Sequence, residues 1–270
     1  MSRWLIVFIA LLLILSIAQP ASAAVAYPNS ITALGDSIST AYNSAGFGNN
    51  YSNSWSTGSS ILVNSMYLHI FVLNPAIQGK ATNLAVSGSK MVDLKSQASQ
   101  LNRKAEYVTV LMGANDVCTS SASTLTDVAT FRSQFDAAMQ TLTKKAPKAR
   151  VYVLSIPDVY NLWYILKDNS SARTTWSLFG ICQSMLANPL STLQADVERR
   201  AAVRQRNIEF NTQLQAGCAA YPQCRFDNHA VFNTSFVVSD VSPIDYFHPS
   251  VSGQAKLAGI AWNASGLAGP

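Results

Sequence analysis

Four short stretches hold side chains that could do chemistry together. Gly35-Asp36-Ser37-Ile38-Ser39 stands near the start, then Ser87-Gly88-Ser89, then Gly113-Ala114-Asn115-Asp116, and Asp245-Tyr246-Phe247-His248 lies near the C-terminus. A serine hydroxyl is a weak nucleophile until a base removes its proton. A histidine can be that base, and a carboxylate behind it fixes the tautomer and stabilises the imidazolium. Asp245 and His248, three residues apart on a turn, can meet without help from distant chain. The oxyanion that follows needs preorganised donors. The backbone N–H of Ser37, that of Gly88 and the side-chain amide of Asn115 are candidates, because glycine lets backbone approach closely and an amide is a neutral donor. Each stretch alone has a plain structural reading: a helix cap, a turn or a chance pair. Their joint presence favours catalysis. Asp36 and Asp116 are expected to bind backbone N–H groups near the site. His69 and His229 lie outside these stretches and are assigned no role.

Something must bring these stretches together. Short apolar runs at residues 31–35, 82–86, 107–112 and 151–156 read as buried strands, with a weaker fifth around Arg225 and Phe226. Between them lie helical patterns at residues 91–104 and 126–145, and later at 196–215 and 252–262. Phe131, Phe135, Ala138, Met139 and Leu142 mark one face of the second, which Pro147 stops; Gly217 is expected to close the third from just beyond its end. Strands alternating with helices predict a parallel sheet covered on both faces. In such sheets ligands bind at the carboxyl ends of the strands. The first three stretches directly follow the first three strands.

Gly-Asp-Ser, a lone Gly, Gly-x-Asn-Asp and Asp-x-x-His, in this order, resemble the SGNH (GDSL-type) hydrolase family and frame nearly all of residues 24–270. The resemblance implies a three-layer α/β/α flavodoxin-like sandwich with a central, mostly parallel five-stranded sheet. It implies ester hydrolysis with Ser37 as nucleophile, His248 as base and Asp245 as its orienter, and with Ser37, Gly88 and Asn115 as the oxyanion hole. Ile38 stands where the name-giving motif has Leu, a conservative departure. Cys118 just after Gly113-Ala114-Asn115-Asp116 resembles the secreted actinobacterial branch, related to lipases. The Gly-x-Ser-x-Gly elbow of the α/β-hydrolases is absent from the chain.

The chain has 270 residues, 49% hydrophobic and 12% charged, with a formal charge of +5. This excludes a disordered chain, and no polybasic block suggests nucleic acid as a partner. Residues 1–23 read as a signal peptide: Arg3, an apolar run from Trp4 to Leu15, then Ala21-Ser22-Ala23. That run is shorter than the ~20 residues needed to cross a bilayer. The expectation is a secreted monomer of one domain, residues 24–270, with no stable membrane span. Four cysteines allow three pairings in an oxidising compartment. The short loop between Cys218 and Cys224 favours joining them, which leaves Cys118 with Cys182. Their spacing does not suit zinc, and no metal or cofactor is expected. Asn50, Asn169, Asn233 and Asn263 fit the glycosylation pattern at near-chance frequency.

Residues 159–190 are rich in Leu, Trp, Tyr and Ile, and are too long for a tight connection. They read either as a cap that binds an acyl chain or as packing on the sheet. The expected substrate is a small-molecule or lipid ester, with lipid-like or short acyl groups. Two alternatives stand beside it: an O-acetyl-glycan deacetylase, with Tyr42, Tyr51 and Trp55 stacking on sugar, and a non-catalytic secreted binding module.

Overall fold

A computed structural model describes residues 27–268. The signal-peptide expectation for residues 1–23 lies outside the described residues. The strands are β1 Ile31–Gly35, β2 Ala81–Asn83, β3 Tyr107–Leu111, β4 Arg150–Val153 and β5 Cys224–Phe226. They form one sheet in the order β2-β1-β3-β4-β5, every neighbour parallel. This is the flavodoxin-like order, with the topological switch between β1 and β3. Ile31 pairs with Ala81 on one side and Tyr107 on the other, so β1 is an interior strand, and it is fully buried.

The helices are α1 Met66–Leu73, α2 Leu94–Ser99, α3 Ala114–Val117, α4 Val128–Lys145, α5 Val159–Leu166, α6 Ser170–Leu178, α7 Gln183–Leu186, α8 Gln194–Cys218 and α9 Val251–Ala264. Alternate strand residues point to opposite faces. Leu34, Val108, Val110, Val151 and Val153 pack with α2, α4 and α8. Ile31, Tyr107, Leu111, Tyr152 and Leu154 pack with α1 and α9. The result is the expected three-layer α/β/α sandwich. On α4 all five predicted contacts are buried, and Phe131 stacks on Phe210 of α8 at 3.9 Å between ring centroids.

Several boundaries differ from the sequence reading. The run at residues 82–86 forms strand only to Asn83, whose side chain accepts from the Ala85 N–H in a local turn. Leu84 and Val86 still donate to Ala33 and Gly35, so the backbone stays against β1 up to the next stretch. The helical pattern at 91–104 is a 3-10 turn, Met91–Asp93, followed by the short α2. Gly217 does not close a helix. It lies within α8, where a Cβ would stand 2.6 Å from the Phe135 ring, so its role is to let two helices approach. Cys118 is joined to Cys182, and Cys218 to Cys224. Among the described residues no helix is long and apolar enough to cross a membrane.

Candidate active site

The four stretches gather at the carboxyl ends of β1, β2 and β3. Ser37 follows β1 in a tight turn in which Thr40 and Tyr42 donate backbone bonds to Asp36 and Ser37. His248 Nε2 stands 2.8 Å from Ser37 Oγ, across 211 residues of sequence. His248 Nδ1 lies 2.6 Å from Asp245 Oδ2. The other oxygen of Asp245 accepts the backbone N–H groups of Phe247 and His248 at 2.9 and 3.0 Å. Burial pushes the Asp245 carboxyl up, but the His248 ring, the His248 N–H and the Asn43 amide together hold it below the usual range. A carboxylate behind an imidazole favours the tautomer with Nδ1 protonated, which leaves Nε2 to accept from the serine.

Gly88 has φ +84°, and a Cβ there would meet nothing within 4 Å, so backbone conformation and not crowding requires glycine. Asn115 sits on the one-turn helix α3, and its Nδ2 donates to Ser89 O at 2.9 Å. An amide nitrogen carries two hydrogens, so this bond orients the group and leaves one free. Ser37, Gly88 and Asn115 line one pocket together with Tyr42 and the disulfide-bonded Cys118 and Cys182. A second, apolar pocket opens on the same Ser37 and His248. The sequence reading missed the side chains that hold this array. Asn43 donates to Asp245 Oδ2 at 2.7 Å. Gln97 of α2 brackets Gly35, accepting from its N–H at 2.8 Å and donating to its carbonyl at 2.9 Å. From the opposite layer, Gln254 of α9 donates to Ile38 O at 2.8 Å and accepts from Trp55 N–H at 3.0 Å. Two buried glutamines thus clamp the serine turn from both faces of the sheet. Each is a polar residue on an inward helix face, and that mismatch was the available signal.

Asp116 accepts from the Met91 N–H and the Thr126 hydroxyl, which ties α3 to its surroundings. Asp36 accepts from the Ile38 N–H at 2.9 Å, and its second oxygen is buried without a partner. Burial, opposed by the Ile38 N–H and by His248, raises the Asp36 carboxyl from 3.8 to about 7. The folded chain therefore keeps a proton that the unfolded chain has lost. Stability is fully present below about 4 and falls as pH rises through 7, after which it is flat. Asp36→Asn is expected to erase this slope and to gain on the order of 4 kcal/mol over wild type between these limits. Urea midpoints of both proteins at acid and mildly alkaline pH check it; parallel pH curves would contradict it. Trp55, read from sequence as a sugar-stacking side chain, is fully buried, with its indole N–H directed at Ser39 Oγ. His69 stacks on Trp262 and His229 reaches Gln215, both away from the site. Among the described residues no three His, Cys, Asp or Glu side chains gather where they could hold a metal ion.

A serine, an imidazole and a carboxylate in line, beside three potential oxyanion donors, can carry acyl transfer. The family model described as GDSL-like lipase/acylhydrolase matches residues 31–260. The chain belongs to this family. As a GDSL acylhydrolase it is a carboxylic-ester hydrolase. No curated protein matches the chain. Among solved structures this acylhydrolase is similar to a phospholipase A1 from Streptomyces albidoflavus NA297, at 18% identity and a TM-score of 0.51, covering 88% of this chain and 99% of that one. It is similar to an extracellular lipase from Streptomyces rimosus, at 18% identity and a TM-score of 0.50, covering 87% and 98%. It is also similar to a catalytic mutant of an acetylxylan esterase from Geobacillus stearothermophilus, at 12% identity and a TM-score of 0.53, covering 88% and 94%. Identities this low speak to the shared fold.

Proposed function

We propose that this acylhydrolase is a secreted serine esterase that cleaves lipid-like carboxylic esters through an acyl-enzyme on Ser37. The observation that carries the reading is the continuous chain from Asp245 through His248 to Ser37, which opens directly on an apolar pocket. In the first half-reaction Ser37 Oγ attacks the ester carbon while His248 Nε2 takes its proton. The carbonyl oxygen gains charge facing Ser37 N–H, Gly88 N–H and the free hydrogen of Asn115. His248 then gives its proton to the departing alkoxide, and the acyl group stays on Ser37. Water, deprotonated by the same nitrogen, attacks the acyl-enzyme, and the acid leaves as His248 returns the proton to Ser37. Asp245 stays ionised throughout and steadies the imidazolium.

The apolar pocket supports an acyl group longer than acetyl. Leu162 and Ile165 of α5 line it, together with Phe236, Val241 and Leu257. Within residues 159–190, Trp163 and Leu166 pack inward, while Leu162 and Ile165 also line the pocket, which supports the cap reading beside the packing one. The glycan-deacetylase reading loses Trp55 as a stacking surface. A p-nitrophenyl ester series tests the assignment. Each buried methylene contributes about 0.8 kcal/mol, or roughly fourfold in affinity, so kcat/KM should climb from acetate towards medium-chain esters. Ile165→Trp is expected to cut the medium-chain value about tenfold and to spare acetate. A flat series, or equal loss on acetate, would count against an acyl pocket here. Acetylated glycan turned over far faster than any alkyl ester would favour the deacetylase. The two disulfides support an oxidising compartment, and the segment at 1–23 supports export into it. The finer placement in an actinobacterial branch is supported by Cys118 just after Gly113-Ala114-Asn115-Asp116.

A further inference from the structure

We propose that Phe47, Leu178 and Phe179 seat this esterase on the surface of a lipid aggregate, with the pocket that Ser37 shares with Gly88 and Asn115 turned toward it. The inference rests on the ester-hydrolase reading and deepens it. The three side chains are 91%, 74% and 71% exposed. Phe47 stands in a loop whose base is fixed. Asn43 N–H donates to Gly48 O at 2.8 Å, Asn50 Nδ2 donates to Gly46 O at 2.8 Å, and Asn49 Oδ1 accepts from the Ser87 hydroxyl at 2.6 Å. Leu178 and Phe179 end α6, whose Trp176 indole donates to Tyr246 O, in the turn that carries His248, at 2.9 Å. Ser87 and Ile181 line the same pocket as Ser37, so both apolar projections border it.

Charge selects the occupant. From Ser37 to Val92 the chain has no Asp or Glu, and Lys90 follows the Ser87-Gly88-Ser89 stretch, of which Ser87 and Gly88 line the pocket. Residues 169–195, which carry Leu178 and Phe179, likewise have no carboxylate and contain Arg173. A carboxylate near a phosphate-bearing surface is repelled, whereas apolar side chains beside cations enter the boundary between headgroups and acyl chains. Both segments that frame the pocket fit such a surface. A lipid phase is also where long acyl esters collect, so docking would place the apolar pocket within reach of them.

The test uses the protein recovered from culture medium, carrying Ser37→Ala so that vesicles stay intact. Co-sedimentation with vesicles of mixed phosphatidylcholine and phosphatidylglycerol is compared with and without Phe47→Ser, Leu178→Ser and Phe179→Ser. Binding is expected to fall about tenfold or more in the triple variant. The same three substitutions with Ser37 intact should leave kcat/KM on water-soluble p-nitrophenyl acetate within about twofold, which also shows the variant folds. Equal sedimentation of the two proteins, or none of either, overturns the proposal and leaves the ester-hydrolase reading standing. A lipid-free dimer that the three substitutions dissolve overturns it in favour of a second copy of this chain. Failure to hydrolyse any soluble ester would instead strike the reading beneath it.

Discussion

Ser37→Ala is expected to lower kcat for ester hydrolysis by about 10⁴-fold or more while leaving the fold intact. The reason is local. Ser37 is 6% exposed, and its hydroxyl is held by His248 at 2.8 Å. Alanine removes the attacking oxygen and nothing that supports the turn. The backbone donors of that turn, Thr40 and Tyr42 N–H, remain, as do the glutamine clamps on Gly35 and Ile38. Substrate affinity should therefore change far less than turnover. Initial rates on a medium-chain p-nitrophenyl ester, with circular dichroism of both proteins, would check this. Retention of more than a tenth of wild-type turnover by a folded Ser37→Ala protein would sink the acyl-enzyme assignment.

His248→Ala should be nearly as damaging, and Asp245→Ala less so by about a hundredfold. In the proposed cycle His248 moves the proton twice, so its loss is expected to disable both half-reactions. Asp245 touches no reacting atom. In the proposed cycle its effect runs through the 2.6 Å contact with His248 Nδ1, so some molecules without it are expected still to place Nε2 correctly. The check is the initial rate of the three proteins on one medium-chain p-nitrophenyl ester, with circular dichroism of each. A folded His248→Ala protein that matches wild-type kinetics would remove His248 from the role of base.

Much of this architecture is legible in the residues. β1 is found over its full length because five buried residues in a row admit a fully covered strand. The inward face of α4 follows from its 3.6-residue period. The juncture of Ser37 and His248 is legible for a different reason: chemistry at the ends of parallel strands leaves few places for a serine and a distant histidine to meet. What escaped is the polar scaffold. Gln97 and Gln254 occupy inward positions that an apolar pattern skips over, because their value lies in backbone groups contributed by other elements. Asn43 is equally silent, since its partner Asp245 is 202 residues away. Gly217 was misread because position near a helix end suggests a cap, while the Phe135 ring it accommodates belongs to a separate helix. Trp55 looked like a surface aromatic near the site, and only the packing of α1 and α9 shows it buried.

Labelling with a fluorophosphonate, followed by peptide mapping, reaches the reacting atom itself. One adduct should form per molecule, on Ser37 Oγ, and it should be lost in Ser37→Ala and strongly slowed in His248→Ala. An adduct on any other residue, or an unlabelled protein that goes on hydrolysing esters, would contradict the assignment of Ser37 as the nucleophile.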